Sequence, residues 1–372
     1  MKRLWLLLAA TLGMVSSAAA CSCAPPPPGT RTAWALQQWY LQRTPVVFQG
    51  KADKIVLENF PFKPVPGKSI SDIPQLRVSF SEVKFYRGES PGSVAIQTGL
   101  GGGDCGYPFE PGRSYLVFAY KDDSGALGTG ICSGTRRLKN ASTALRALRG
   151  DPPLPEDLQE PTGTTISGPK AENGRKICGR VKTDARAEAQ ATVYLWLADE
   201  VAPMFRARDT ETDPDGSFCF NDLDPGKYIL AAKTEPSGSV RYVGYYPGVA
   251  DRSQAAAVTI SENAQTPAVD FPLVRQKLYT VAGYLRGVPD ALNDSINVIV
   301  MPAALDRLNV VEPAELAPHG RFEIPNVPPG HYLGYAATED AEQGKTTFVS
   351  AGLELDVRGN MEGVRLDYAT GK

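Results

Sequence analysis

The chain has 372 residues, with 39 Lys and Arg against 41 Asp and Glu and a formal net charge of −2. That near-balance gives no electrostatic reason to expect nucleic acid or an anionic membrane surface as a partner. Gly (36) and Pro (31) are abundant, yet 42% of residues are hydrophobic and recur in short runs between them, which predicts many short strands joined by turns rather than a disordered chain.

Residues 1–20 read as an export signal. Lys2 and Arg3 form a charged start, Leu4 to Val15 an apolar stretch, and Ala18-Ala19-Ala20 a cleavage site. Cleavage after Ala20 would leave the α-amine of Cys21 at the mature terminus. An α-amine and the carbonyl of the same residue can close a five-membered chelate on a metal ion, so any chemistry is expected at this end. No later apolar run approaches the roughly 18 residues that span a bilayer, and no transmembrane segment is expected.

Residues 21–150 form the first unit. Polyproline 25–28 leads into a helix from Ala33 to Arg43, followed by strand-like runs at 46–48, 76–80, 94–96 and 114–118. A helix is expected over 140–149, with Asn140 as N-cap and Leu145 and Leu148 on one face. Between the first two strands lies a Pro-rich excursion, Asn59 to Pro74, read as a long loop and a contact surface. The stretch 151–174 is rich in Pro and acidic residues and reads as a semi-rigid linker.

An internal repeat follows. Gly216-Ser217-Phe218-Cys219-Phe220 through Pro225-Gly226-Lys227-Tyr228 reappears, shifted by 104, as Gly320-Arg321-Phe322-Glu323-Ile324 through Pro329-Gly330-His331-Tyr332. The fixed shift marks two copies of one small β domain, at 175–274 and 277–370. Phe218 and Phe220 alternate toward a core, and Pro225-Gly226 turns the chain.

The six cysteines, Cys21, Cys23, Cys105, Cys132, Cys178 and Cys219, all follow the cleavage site. An even count in an exported chain predicts three disulfides. Cys178 and Cys219 map onto Ala282 and Glu323, so both are present in one copy and absent from the other, as a bonded pair would be. Glu323 also places that face near solvent.

Cys21-Ser22-Cys23-Ala24-Pro25 belongs to a wider pattern: Phe80-Ser81-Glu82-Val83-Lys84 leading to Arg87-Gly88, Cys105-Gly106, Phe109, Gly112, Tyr115-Leu116-Val117 and Cys132-Ser133. Over residues 21–150 this resembles the N-terminal, netrin-like domain of the tissue inhibitors of metalloproteinases. The resemblance implies a five-stranded OB-type barrel with flanking helices and the bonds Cys21–Cys105 and Cys23–Cys132. It also implies a protease-contacting segment, Cys21, Ser22, Cys23 and Ala24. In that segment the amine and carbonyl of Cys21 would ligate a protease's zinc, and Ser22 would enter the specificity pocket. The family's third disulfide in this domain and its cysteine-rich C-terminal domain are missing here. The two repeats resemble carboxypeptidase-regulatory or transthyretin-like β-sandwich domains.

The expected protein is therefore exported, all-β and non-enzymatic, without a resident cofactor or metal. Its sharpest reading is a zinc metalloprotease inhibitor. The alternative is a surface or periplasmic interaction, adhesion or structural module with no inhibitory activity, whose partner is another protein or a surface. Lipidation of Cys21 is a rival for the terminus, because a thioether-linked Cys21 could not also bond Cys105. His319 and His331 sit in turns without triad or metal spacing. Asp213-Pro214-Asp215-Gly216 lacks the register of a calcium loop and reads as a β-turn.

Overall fold

The computed structural model describes residues 23, 27–59, 63–68, 75–89, 93–101, 105–122, 125–160, 174–183, 186–187, 190–261, 268–289, 292, 295–340 and 345–370. The protein is all-β: a closed five-stranded barrel with flanking helices, then two β-sandwich-like units.

Helix α1 (Ala33–Arg43) opens the barrel unit, with the Thr32 side chain capping Ala35 N at 3.2 Å. Strands β1 (Val46–Glu58), β2 (Gln75–Arg87), β3 (Val94–Thr98), β4 (Ser114–Lys121) and β5 (Leu127–Gly128) follow. They close in the order β1-β2-β3-β5-β4-β1, with β3 and β5 parallel and every other neighbour antiparallel. Short β6 (Arg136–Arg137) adds to β4, and α2 (Ser142–Arg149) packs against α1. Val46 and Phe48 point into the barrel with Phe80, Ile96, Phe109, Tyr115 and Val117, while Val47 points outward under the helices with Leu41, Leu116 and Phe118. Both faces are covered, so the run Val46-Val47-Phe48 is continuously apolar rather than alternating.

Three details differ from the sequence reading. The N-cap of α2 is Ala141, without a side-chain cap, and Asn140 closes a preceding 3-10 turn. Part of the Pro-rich stretch after the barrel is docked. The buried Asp157 accepts from Thr143 Oγ1 at 2.7 Å, from Leu154 N at 2.9 Å and from Arg146. Finally, β1 and β2 run on as long strands of 13 residues each, past the apolar runs 46–48 and 76–80. They do so through register shifts in β1 and a left-handed Glu82 (φ 50°), the marks of β-bulges.

The first sandwich holds β7 (Ile177–Thr183), β8 (Arg186–Ala187), β9 (Ala191–Leu197), β10 (Arg208–Glu211), β11 (Ser217–Phe220), β12 (Gly226–Thr234), β13 (Val240–Tyr245), β14 (Val258–Ile260) and β15 (Phe271–Lys277). A four-residue helix, α3 (Pro203–Arg206), lies between β9 and β10. The second sandwich holds β16 (Tyr279–Arg286), β17 (Ile296–Pro302), β18 (Ala314–Glu315), β19 (Arg321–Val327), β20 (Gly330–Asp340), β21 (Lys345–Phe348), β22 (Leu353–Val357) and β23 (Met361–Asp367). The repeat is structural. Strands β11 and β19 start at 217 and 321, and β12 and β20 at 226 and 330, a shift of 104 each time. Each copy buries its aromatics, Phe218 and Phe220 in one and Phe322 in the other. Each ends its turn with the same hydrogen bond, Tyr228 OH to Asp224 O (2.7 Å) and Tyr332 OH to Pro328 O (2.9 Å). That bond explains the tyrosine after each Pro-Gly.

The Cys178–Cys219 bond is present, between residues directly opposite on β7 and β11. Their counterparts Ala282 and Glu323 are likewise opposite on β16 and β19, and Glu323 is exposed. The disulfide is thus a cross-strand staple whose loss in the second copy leaves an ordinary solvent-facing pair.

The three units cover one another's outer faces. Tyr194, Trp196, Ile229, Val243 and Tyr245, on the outer face of the first sandwich, bury Leu308 of the second. Beside Leu308, Asp306 accepts from Tyr245 OH and from Leu308 N, and Arg241 donates to Asn309 Oδ1 at 3.3 Å. On the second sandwich, Met301, Leu305, Tyr335, Ala337 and Phe348 are buried with Leu76 and Leu100 of the barrel and Ala202 of the first sandwich. Between barrel and first sandwich, Arg137 pairs with Glu110 and, at 3.4 Å, with Asp224, while Lys139 reaches Asp224 at 3.2 Å. Arg113 donates to Pro225 O, and Arg206 donates to Phe109 O at 2.6 Å while paired with Glu200 at 3.4 Å.

Candidate functional site: the disulfide-stapled end of the barrel

Three segments meet at one end of the barrel: the chain ahead of α1, the β3–β4 connection and the β5–β6 connection. Cys23 bonds Cys132, with an S–S distance of 2.08 Å and Cα atoms 5.3 Å apart. Cys105 is also disulfide-bonded. Its resemblance-implied partner, Cys21, lies outside the described residues, as do Ser22 and Ala24. Of the expected contacting segment only Cys23 is placed, and it is exposed.

The two loops are locked together by backbone. Ile131 N donates to Cys105 O at 2.9 Å, across a gap that glycine alone fits: a Cβ on Gly130 would lie 2.6 Å from that same oxygen. A Cβ on Gly106 would lie 2.1 Å from Gly99 O, so Cys105-Gly106 is a close backbone crossing. Behind them a chain of hydroxyls ties the β5–β6 connection to β4. Thr129 Oγ1 donates to Phe118 O (2.8 Å) and lies 2.8 Å from both Ser133 Oγ and Thr135 Oγ1. Phe118 N in turn donates to Thr135 Oγ1 at 2.9 Å. Nothing in the sequence reading singled out Thr129 or Thr135; the cluster Thr-Gly-Ile-Cys-Ser-Gly-Thr was the available signal.

The surroundings are aromatic. Tyr107 N donates to Thr98 Oγ1 at 2.7 Å, and the Tyr107 ring packs tilted 4.6 Å from Phe109 and edge-to-face 5.8 Å from Tyr115. Burial pushes the Tyr107 phenol up to about 12, against the opposing pull of Arg137 and Arg136, so it stays neutral and cannot act as a base near neutral pH. Ile131, next to the disulfide, is 40% exposed. An apolar side chain held on a stapled loop can contribute burial to a contact at little entropic cost.

The remaining sequence candidates lie elsewhere. His331 is exposed, with Nδ1 3.6 Å from Asp356, and His319 occupies a left-handed turn position. Asp213–Gly216 closes the turn Gly216 N to Asp213 O at 2.8 Å. Among the described residues no three His, Cys, Asp or Glu side chains gather as a metal-binding group, and no helix is long and apolar enough to cross a membrane.

No protein-family model matches the chain, and no curated protein matches it in sequence. Among solved structures, a streptococcal ancillary pilin is similar at 11% identity and a TM-score of 0.25, over 90% of this chain and 96% of that one. The minor pilin of Streptococcus agalactiae matches at 8% identity and a TM-score of 0.23, over 53% and 98% of the two chains. A fimbrial anchor protein of Porphyromonas gingivalis matches at 10% identity and a TM-score of 0.19, over 49% and 82%. Scores of this size carry no argument about function.

Proposed function

We propose that this chain is an exported, non-enzymatic protein-interaction module: a rigid body of three β units that presents the disulfide-stapled end of the barrel to a partner. The observation that carries the reading is the mutual covering of outer faces. Units serving as spacers on linkers would keep those faces polar. Here Leu308, Leu76 and Leu100 are each at most 2% exposed within contacts between units. A stapled loop mounted on such a body has a fixed orientation, which lowers the ordering cost of binding. The test is a photo-crosslinking residue at position 131 of the exported protein in its source cell, with position 284 on the second sandwich as control. The reading expects a discrete adduct from 131 and none from 284; no adduct from 131, or the same adducts from both, counts against it.

The sharper reading, inhibition of a zinc metalloprotease, is favoured by one feature. The Cys23–Cys132 bond and the Cys105–Ile131 contact gather the terminal segment and two barrel loops at one edge. In this reading the α-amine and carbonyl of Cys21 occupy the coordination position that a catalytic zinc keeps for water, and Ser22 enters the specificity pocket. An alanine added ahead of Cys21 turns the amine into an amide and removes the ligand. Zinc endopeptidases inhibited by the native terminus but not by the extended one support this reading. Equal inhibition, or none, leaves the general interaction module.

A further inference from the structure

We propose that the outer edge of β21 in the second sandwich is an acceptor site for a polypeptide segment, filled here by the chain's own Pro64–Lys68 and open to the same segment of a second copy. The inference goes beyond the proposed function and does not depend on it.

The two repeats differ at this edge. In the first sandwich, β13 pairs with β12 on one side and with β15 on the other, so the two layers join into one sheet. Val243 of β13 lies opposite Lys233 on β12 and opposite Val274 on β15. The position equivalent to Lys233, 104 residues on, is Ala337, which lies opposite Phe348 of β21. Phe348 is therefore the counterpart of Val243. The strand equivalent to β15 is β23, but β23 pairs with β16 and not with β21. The continuation of β23 reaches this edge one residue further on, where Ala369 N donates to Val349 O.

At Phe348 the barrel supplies what β15 supplies in the first copy. Gly67 N donates to Phe348 O at 2.8 Å, and Phe348 N donates to Lys68 O at 3.0 Å. Pro64 is buried against Gly352, where an added Cβ would lie 2.8 Å from Pro64 Cδ and 2.8 Å from Leu333 Cδ1. The segment is a tight turn, closed by Lys68 N to Val65 O at 3.0 Å, in the connection between β1 and β2. Ile55 and Leu57 of β1 and Leu76 of β2 lie in the same cluster as Phe348 and Tyr335. The Asn59–Pro74 excursion, expected as a contact surface for an outside partner, thus has its described part engaged with the chain's own second sandwich.

A second copy's segment can make the same two hydrogen bonds and seat the same proline. Exchange between copies changes no contact at the edge, and concentration decides which copy supplies the segment. The segment lies in the connection between the end of β1 at Glu58 and the start of β2 at Gln75, so it is this connection, and not the barrel strands, that would change copies.

The test uses two full-length variants. One lacks the donor, with 64–68 replaced by alternating glycine and serine. The other, Gly352→Val, blocks its own acceptor and releases its segment. Each alone should run as a monomer in size-exclusion chromatography with light scattering. Mixed, they should form a one-to-one complex, because one donor and one acceptor remain intact between them. Exchange of the Phe348 amide should speed about tenfold or more in the donor-less variant, as expected for a lost edge hydrogen bond, and slow again when the partner is added. If Gly352→Val does not fold, wild-type protein in excess supplies the segment with the same amide readout. A mixture that keeps the monomer mass, or a Phe348 amide unchanged by donor removal or not re-protected by either partner, overturns the proposal.

Discussion

Truncating Leu308 to alanine probes the contact between the two sandwiches. Leu308 belongs to the second repeat, is 1% exposed, and packs on the outer face of the first among Tyr194, Trp196, Ile229, Val243 and Tyr245. Its backbone is held by Asp306, which caps the 3-10 turn Arg307–Asn309 through Leu308 N at 3.0 Å. Asp306 also accepts from Tyr245 OH, so the turn cannot easily shift to refill the space. Removing three carbons at about 0.8 kcal/mol each gives roughly 2.4 kcal/mol of lost transfer free energy. The cavity left in a pinned site adds to this, for a total of about 3 kcal/mol. The assay is urea unfolding followed by tryptophan fluorescence, since Trp196 lies in the same cluster. Tyr284→Ala serves as control; Tyr284 is 48% exposed, and its change should stay within about 0.5 kcal/mol. If Leu308→Ala costs under about 0.5 kcal/mol, or shifts only a transition to which Trp196 is blind, the sandwiches are not coupled as described.

Two further perturbations separate the other contacts. Burial pushes the Asp224 carboxyl up, but the hydrogen bond from Lys139 and the charges of Arg137, Lys139 and Arg113 outweigh it, and it titrates below the ordinary range. A carboxyl depressed in the folded state contributes fully above its unfolded value, near 3.9, and loses that contribution as pH falls through the folded value. Acidifying from pH 5 to below 3 should therefore lower the urea midpoint less in Asp224→Asn than in wild type, and equal slopes would remove Asp224 from the interface account. Replacing both Cys178 and Cys219 by alanine opens a loop of 41 residues, which loop-closure entropy puts at about 4 kcal/mol. Calorimetry should show that loss in the first sandwich, and no loss there would mean that the staple is redundant with the β7–β11 pairing.

Much of this fold is legible from local chemistry. The shift of 104 locates two copies of one β domain because turn glycines, the Pro-Gly pair and the tyrosine that bonds the upstream carbonyl must recur together. Cys178 and Cys219 are readable as a pair because their counterparts change together, and the pairing of Ala282 with Glu323 shows why. Helix α1 is legible to the residue. The polar halves of β1 and β2 are not, since Lys51-Ala52-Asp53-Lys54 carries no strand signal and is held extended by pairing with β2. Nor are the faces between units. Tyr194, Trp196, Met301 and Tyr335 look like core residues of their own domain, and nothing local says that they face outward onto a neighbour. The docking of Leu154–Leu158 is hidden for the opposite reason: its anchor is a buried Asp157, a residue type that sequence alone places in solvent. At the candidate site, the Cys23–Cys132 pairing followed from the resemblance, whereas the threonine chain behind it needed the fold.

Small-angle X-ray scattering of the protein beginning at Cys21 tests the central claim, a single body of three mutually packed β units. Three compact units in contact predict a radius of gyration of about 20 Å, unchanged by concentration in the dilute range. Units strung on a linker would give about 30 Å or more, with the scattering of a flexible chain, and that result would contradict the account.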